Sequence, residues 1–71
     1  AQNNLGMMYH NGKGVLQDYV YAHMWFNVAA FNGDERGGKA RDIVAKKMNT
    51  RQIEKAQELA RDCVRKEYKG C

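Results

Sequence analysis

Seventy-one residues limit the chain to one small domain or part of one, and an apolar fraction of 44% without a single proline fits ordered helical structure rather than disorder. No run of about twenty apolar residues occurs, which excludes a membrane-spanning helix. The formal charge of +4 sits wholly in the second half: residues 1–33 carry only Lys13 and Asp18, whereas residues 34–71 carry eleven basic and seven acidic residues.

Residues 1–10, AQNNLGMMYH, place Ala1, Leu5, Met8 and Tyr9 at helical spacing, so a short helix is predicted with no visible N-cap. The stretch NGKGVLQD follows as a turn. Asp18 then stands directly before YVYAHMWFNVAAFNG as an N-cap, with Gly33 closing the segment, which predicts a helix over 18–32. Within it Tyr19, Ala22, Trp25 or Phe26, and Ala29 share one stripe.

Residues 34–48, DERGGKARDIVAKKM, form a weaker helical segment. Asp34 can cap it and Ala40, Ile43, Val44 and Met48 supply an apolar stripe, but Gly37 and Gly38 each weaken a helix interior by ~1 kcal/mol relative to Ala. Asn49 and Gln52 then have capping-box spacing. The helix after them carries Ile53, Ala56, Leu59, Ala60, Cys63 and Val64 on one face with charges opposite, and is predicted to end near Lys69-Gly70. Four helices without a strand signal give an all-α chain. Its two successive antiparallel helix hairpins, 1–32 and 34–69, suggest an α-solenoid unit rather than a symmetric bundle.

The glycines around Lys13 raise the alternative of a phosphate-binding loop. That loop needs a preceding strand and the order G-x-x-x-x-G-K-[ST]. Here a helix precedes, Lys13 lies between the glycines and Val15 follows Gly14. The dinucleotide pattern fails too, because Gln17 occupies the third glycine position. The glycines fit a turn, where φ > 0 lets the chain reverse between helices.

With the elements placed, Ala1, Leu5, Gly6, Met8, Tyr9, Gly12, Gly14, Val15, Asp18, Ala22, Trp25, Ala29, Ala30 and Gly33 follow an order and spacing that resembles one unit of the Sel-one-like repeat, a relative of the tetratricopeptide repeat. The match runs through residues 1–33. The tail IVAKKMNTRQIEKAQELAR resembles the closing segment of such arrays, a less diagnostic likeness. The resemblance implies a right-handed superhelix of helix pairs that holds other proteins, with no chemistry of its own. It assigns 1–33 to a repeat unit that begins partway into its first helix and 34–71 to a terminal capping hairpin, since Gly37, Gly38 and Arg41 depart from the repeat's packing residues. The sequence thus reads as the end of a longer array. It implies that Gly6 lets helices approach closely, that Gly12 and Gly14 shape the loop, and that Ala22, Ala29 and Ala30 make room for Tyr9 and Trp25.

Cys63 and Cys71 are separated by eight positions. On one unbroken helix they would stand ~12 Å apart along the axis, beyond the ~7 Å that a disulfide spans. A bridge therefore requires the helix to end and the tail to fold back at Gly70. Disulfide-linked, secreted members of the resembled family show similar spacing, and a bridge here would imply an oxidising compartment, secreted or periplasmic. The alternative is a small core residue at Cys63 and a free thiol at Cys71.

Other chemistry finds little support. A zinc site needs two more ligands, and His10 and His23 are remote in sequence. Cys63 lies on an apolar stripe without an acidic third member, so no nucleophile is assigned, and no cofactor motif occurs. Nucleic-acid binding by the basic half is disfavoured: acids interleave with bases as Asp42 with Lys46, Glu58 with Arg61 and Asp62 with Lys66, and no aromatic platform accompanies them.

The function expected is a non-catalytic module that binds a protein or peptide on a concave face lined by the first helix of each pair. Tyr21, His23, Met24 and Asn27 are the candidates for an exposed groove lining, with Asn3, Asn4 and Asn27 setting register. The rival expectation is a purely structural cap. Two hairpins are fewer than the three or so repeats that usually fold alone, so self-association or marginal stability is expected.

Overall fold

The computed structural model describes residues 2–12 and 18–71, with side chains from Leu5 onward. Four helices carry these residues: α1 (Gln2–Asn11), α2 (Tyr19–Phe31), α3 (Glu35–Ala45) and α4 (Thr50–Arg65), and no strand occurs among them. The fold is all-α. Lys13–Gln17, which hold Gly14 and Val15 of the glycine turn, lie outside the described residues.

Local chemistry sets the helix starts. The Asp18 carboxylate accepts from the backbone N–H groups of Val20 and Tyr21, which would otherwise be orphaned at the start of α2. Asp34 accepts from the Arg36 N–H and from its guanidinium. That side-chain bond holds the Asp34 carboxyl below the usual carboxylate range. At α4 the Asn49 side chain takes the Gln52 N–H while Gln52 reaches back to the Asn49 N–H, a complete capping box. Gly12 and Gly33 adopt positive φ at the ends of α1 and α2, +72° and +92°, and let the chain turn away there.

α2 is the hub. Its apolar side chains point in every direction, and Ala22, Met24, Trp25, Phe26, Val28 and Ala29 are all buried. A helix apolar all round needs neighbours all round. α1, α3 and α4 each pack on α2, whereas α3 and α4 scarcely touch each other. The second hairpin is thus held together by α2 more than by its own two helices. Two clusters result. Met24, Trp25 and Val28 meet Ala60 and Cys63 of α4, while Ala22 and Phe26 meet Val44 of α3. Tyr9 of α1 touches both.

Two expectations change, at Gly37 and at the end of α4. On α1 the buried position is Gly6, over which the Phe26 ring lies so closely that a Cβ would sit 2.5 Å from two ring carbons. Leu5 and Met8 are exposed, because the face turned to α2 runs through Gly6 and Tyr9. On α3, Gly37 is buried against the backbone of α2, so its missing side chain allows close packing. α4 ends at Arg65, short of Lys69-Gly70, because Glu67 and Tyr68 take positive φ and turn the tail back. The reversal joins Cys71 to Cys63 in a disulfide with Cα atoms 5.5 Å apart. The Tyr68 hydroxyl donates to Asn32 Oδ1 at 3.0 Å, pinning the tail to the end of α2.

Candidate partner-binding faces

α1 and α3 lie side by side over Phe26 and leave an apolar cleft of about 180 Å3 between them. Met7, His10 and Asn11 of α1 line it, the first two one helical turn apart, and Ala40 and Ile43 of α3 face them. Met7 and Ile43 are exposed, Ile43 by 57%. Two large aliphatic side chains flanking an open cleft are what a partner side chain can bury. Polar groups gather at His10. Its Nδ1 is 3.1 Å from Asn11 Oδ1, its Nε2 is 3.3 Å from Lys47 Nζ, and its ring lies 5.8 Å from that of Tyr19.

A second cleft, of about 220 Å3, lies between α2 and α4 and is lined by Asn27, Val28, Phe31, Ala60, Arg61 and Val64. Phe31, at the end of α2, is 70% exposed.

The residues expected to line an exposed groove divide. His23 and Met24 are buried, at 2% and 0% exposure, and their assignment to an open surface is corrected. The reason is the crowding of α2: Met24 faces α4 and His23 is enclosed, with its Nδ1 lacking a hydrogen-bond partner among the described residues. Burial lowers the His23 pKa, the Arg41 guanidinium lowers it further, and Asp42 opposes. Tyr21 is half-buried and stacks on Tyr9 with ring centroids 5.5 Å apart. Asn27 is half-buried and accepts from Arg41 Nη1 at 2.9 Å. The side chains of Asn3 and Asn4 lie outside the described residues.

The charge pairing differs in detail from the expected interleaving. Ion pairs among the described residues join Asp34 to Arg36, Asp42 to Arg41 and Asp62 to Arg65, and none of the expected Asp42–Lys46, Glu58–Arg61 and Asp62–Lys66 pairs forms. Asp34 and Asp42 take the arginine nearest in sequence, whereas Asp62 passes over its neighbour Arg61 and takes Arg65 one helical turn on. No group of His, Cys, Asp and Glu suited to hold a metal ion occurs among the described residues. Sequence reasoning missed Met7, Ile43, Phe31 and Arg61. Met7 and Phe31 are large apolar residues within read helices, and the signal available was that neither falls on its helix's packed stripe.

The helices and clefts define a solenoid-like all-α repeat unit with unfilled surface between its helices. Residues 1–34, just under half of the chain, match the Sel1 repeat family model, and this segment is a Sel1 repeat. Sel1 repeats generally mediate protein–protein interaction and are generally not enzymes. No curated protein and no solved structure matches the chain.

Proposed function

We propose that the chain is a non-catalytic interaction module whose α1–α3 face holds a segment of a protein partner. The observation that carries the reading is the open apolar cleft between the first helices of the two pairs, with Met7 and Ile43 exposed on its walls and Phe26 beneath. The partner presents one or two apolar side chains to it. Lys47, whose amino group lies 5.6 Å over the Tyr19 ring and beside His10, adds a cation near its polar end.

The test is a displayed-peptide selection run in parallel on the wild-type chain and on a Met7→Lys, Ile43→Lys variant. Both substitutions are at exposed positions and leave the helical spectrum intact. Peptides enriched by the wild type and lost by the variant support the reading. Identical enrichment on both sinks it.

A second reading concerns residues 34–71 alone. The outer face of α4 carries Arg51, Gln52, Glu54, Lys55, Gln57 and Glu58, all exposed. A polar outer face is what a terminal helix needs to shield an array from water. This supports a capping role for the second pair alongside partner binding by the α1–α3 face. Fusing further repeats upstream and comparing solubility with and without residues 34–71 tests it: equal solubility removes the capping role.

A further inference from the structure

The α2–α4 cleft is separate from the face just discussed. Phe26, beneath one cleft, and Phe31, lining the other, are five positions apart, roughly 140° around α2. The two clefts share no lining residue.

Its size, lining and charge restrict what can enter. An apolar cavity of ~150 Å3 accommodates a benzene ring, while sites that enclose whole small ligands run from ~300 Å3 upward. At about 220 Å3 the cleft takes one large apolar side chain. Val28 forms its floor, Ala60 and Val64 one wall, and the exposed ring of Phe31 one end. The rim is cationic. Arg61 lines the cleft, is exposed, and has no ion-pair partner among the described residues. Arg41 also reaches Asn27 on this rim, but its guanidinium is paired with Asp42, so Arg61 supplies the uncompensated charge. An unpaired arginine beside an apolar hole matches a carboxylate beside an apolar side chain, because the guanidinium fork binds carboxylates bidentately.

We propose that the α2–α4 cleft docks an acidic peptide segment of a partner protein. One large apolar side chain of that segment seats against Val28, Ala60 and Val64, and a neighbouring carboxylate pairs with Arg61. The chain's charge of +4 aids the encounter with an acidic segment.

The test uses the full chain, isotope-labelled, with two blocked tripeptides as probes: N-acetyl-Asp-Phe-Asp-amide and N-acetyl-Lys-Phe-Lys-amide. Amide shifts are followed by NMR at millimolar probe concentration. Saturable shifts at residues 27–31 and 60–64 are expected with the acidic probe, and affinity about tenfold weaker with the basic one. Arg61→Glu, an exposed change that leaves the fold intact, is expected to abolish the preference. Equal response to the two probes overturns the proposal, as does a response confined to residues 7–11 and 40–43 or no saturable response at all. Dilution of the free chain is the remaining control. If dilution alone moves the amides of 27–31 and 60–64, a second copy occupies the cleft and the peptide assignment falls. Because the clefts are disjoint, each of these failures leaves the α1–α3 reading standing.

Discussion

The carbonyl oxygen of Phe26 stands 2.7 Å from where a Cβ on Gly37 would lie, and the Ala29 methyl and Ala30 nitrogen stand at 2.8 and 2.9 Å. Two of these three atoms are backbone and cannot rotate aside. Gly38, next in sequence, would meet only Ala30 Cβ and an Arg41 nitrogen, both at 3.8 Å, an ordinary contact.

The pair makes a controlled test of α2–α3 packing. Alanine is favoured over glycine inside a helix by ~1 kcal/mol. At Gly38 nothing opposes that gain, so Gly38→Ala is expected to stabilise the chain by about 0.5–1 kcal/mol. At Gly37 the new methyl forces the helices apart, and overpacking of this kind costs about 1–3 kcal/mol. Gly37→Ala is therefore expected to destabilise despite its better propensity. Urea denaturation of both variants measures the two signs, and equal stabilisation would mean that α3 does not approach α2 so closely.

The disulfide offers a second prediction. Cys63 is fully buried with Met24, Trp25 and Val28, and Cys71 packs against the same cluster. Closing a loop over a separation of eight residues restricts the unfolded chain by ~2.5 kcal/mol in the loop-entropy description. Reduction with a dithiol, or Cys71→Ser, is expected to lower the melting temperature by roughly 10–20 °C at this chain size. The Tyr68–Asn32 bond is expected to weaken with it, since without the bridge the tail keeps only that bond and the Tyr68 N–H bond to the Cys63 carbonyl. Tyr68→Phe in the oxidised chain separates that bond from the bridge and is expected to cost about 1 kcal/mol or less. An unchanged melt on reduction would show that the tail contributes nothing to the fold.

What the sequence disclosed and what it hid follow the range of the interaction. The caps at Asp18, Asp34 and Asn49 join atoms two or three residues apart, so residue type and spacing suffice to find them. The disulfide demanded only that a helix end before Gly70. Burial of α2 was harder: a stripe through Tyr19, Ala22 and Ala29 was read, although the segment is apolar at every angle, and that breadth was the sign of a central helix. His23 and Met24 were consequently placed outside. Gly37 read as a weak point because propensity is local, while its value lies in an approach to Phe26 that no local pattern encodes. The α2–α4 cleft was out of reach altogether, since its lining joins Asn27, Val28 and Phe31 to Ala60, Arg61 and Val64, about thirty positions away in sequence. The close approach at Gly6 came only from the family resemblance, since nothing local in the sequence points to the Phe26 ring that packs over it.

The capping box at the start of α4 supports a third prediction. Asn49→Ala leaves the Gln52 N–H without its side-chain acceptor, while the backbone N–H of residue 49 still donates to Gln52 Oε1, at an expected cost of about 1 kcal/mol. Asp18→Ala strands the N–H groups of Val20 and Tyr21 at α2 by the same chemistry. The Asp18 site is half-buried and the Asn49 site is exposed, so water substitutes less well at the first. Asp18→Ala is expected to be the more costly of the two. Thermal denaturation of the two variants decides the order, and the reverse order would place α4, not α2, at the centre of stability.

Acid sensitivity follows from His23. Its ring is enclosed, and protonation would place a cation in an apolar setting already facing the Arg41 guanidinium, with Asp42 as partial compensation. The folded pKa therefore lies below the unfolded value of about 6.5. Within that interval the unfolded chain holds a proton on His23 that the folded chain does not, so unfolding takes up protons. Stability from this group is fully present above the unfolded pKa, falls as pH drops below about 6.5, and levels off below the folded pKa. Denaturant midpoints measured at several pH values between about 7.5 and 5 should decline toward acid. His23→Gln removes the titration and is expected to flatten that decline, whatever it costs in absolute stability. Arg41→Gln removes the nearby cation, raises the folded pKa toward the unfolded one, and so narrows the window. A His23→Gln chain that keeps the wild-type slope would show that another group carries the acid response.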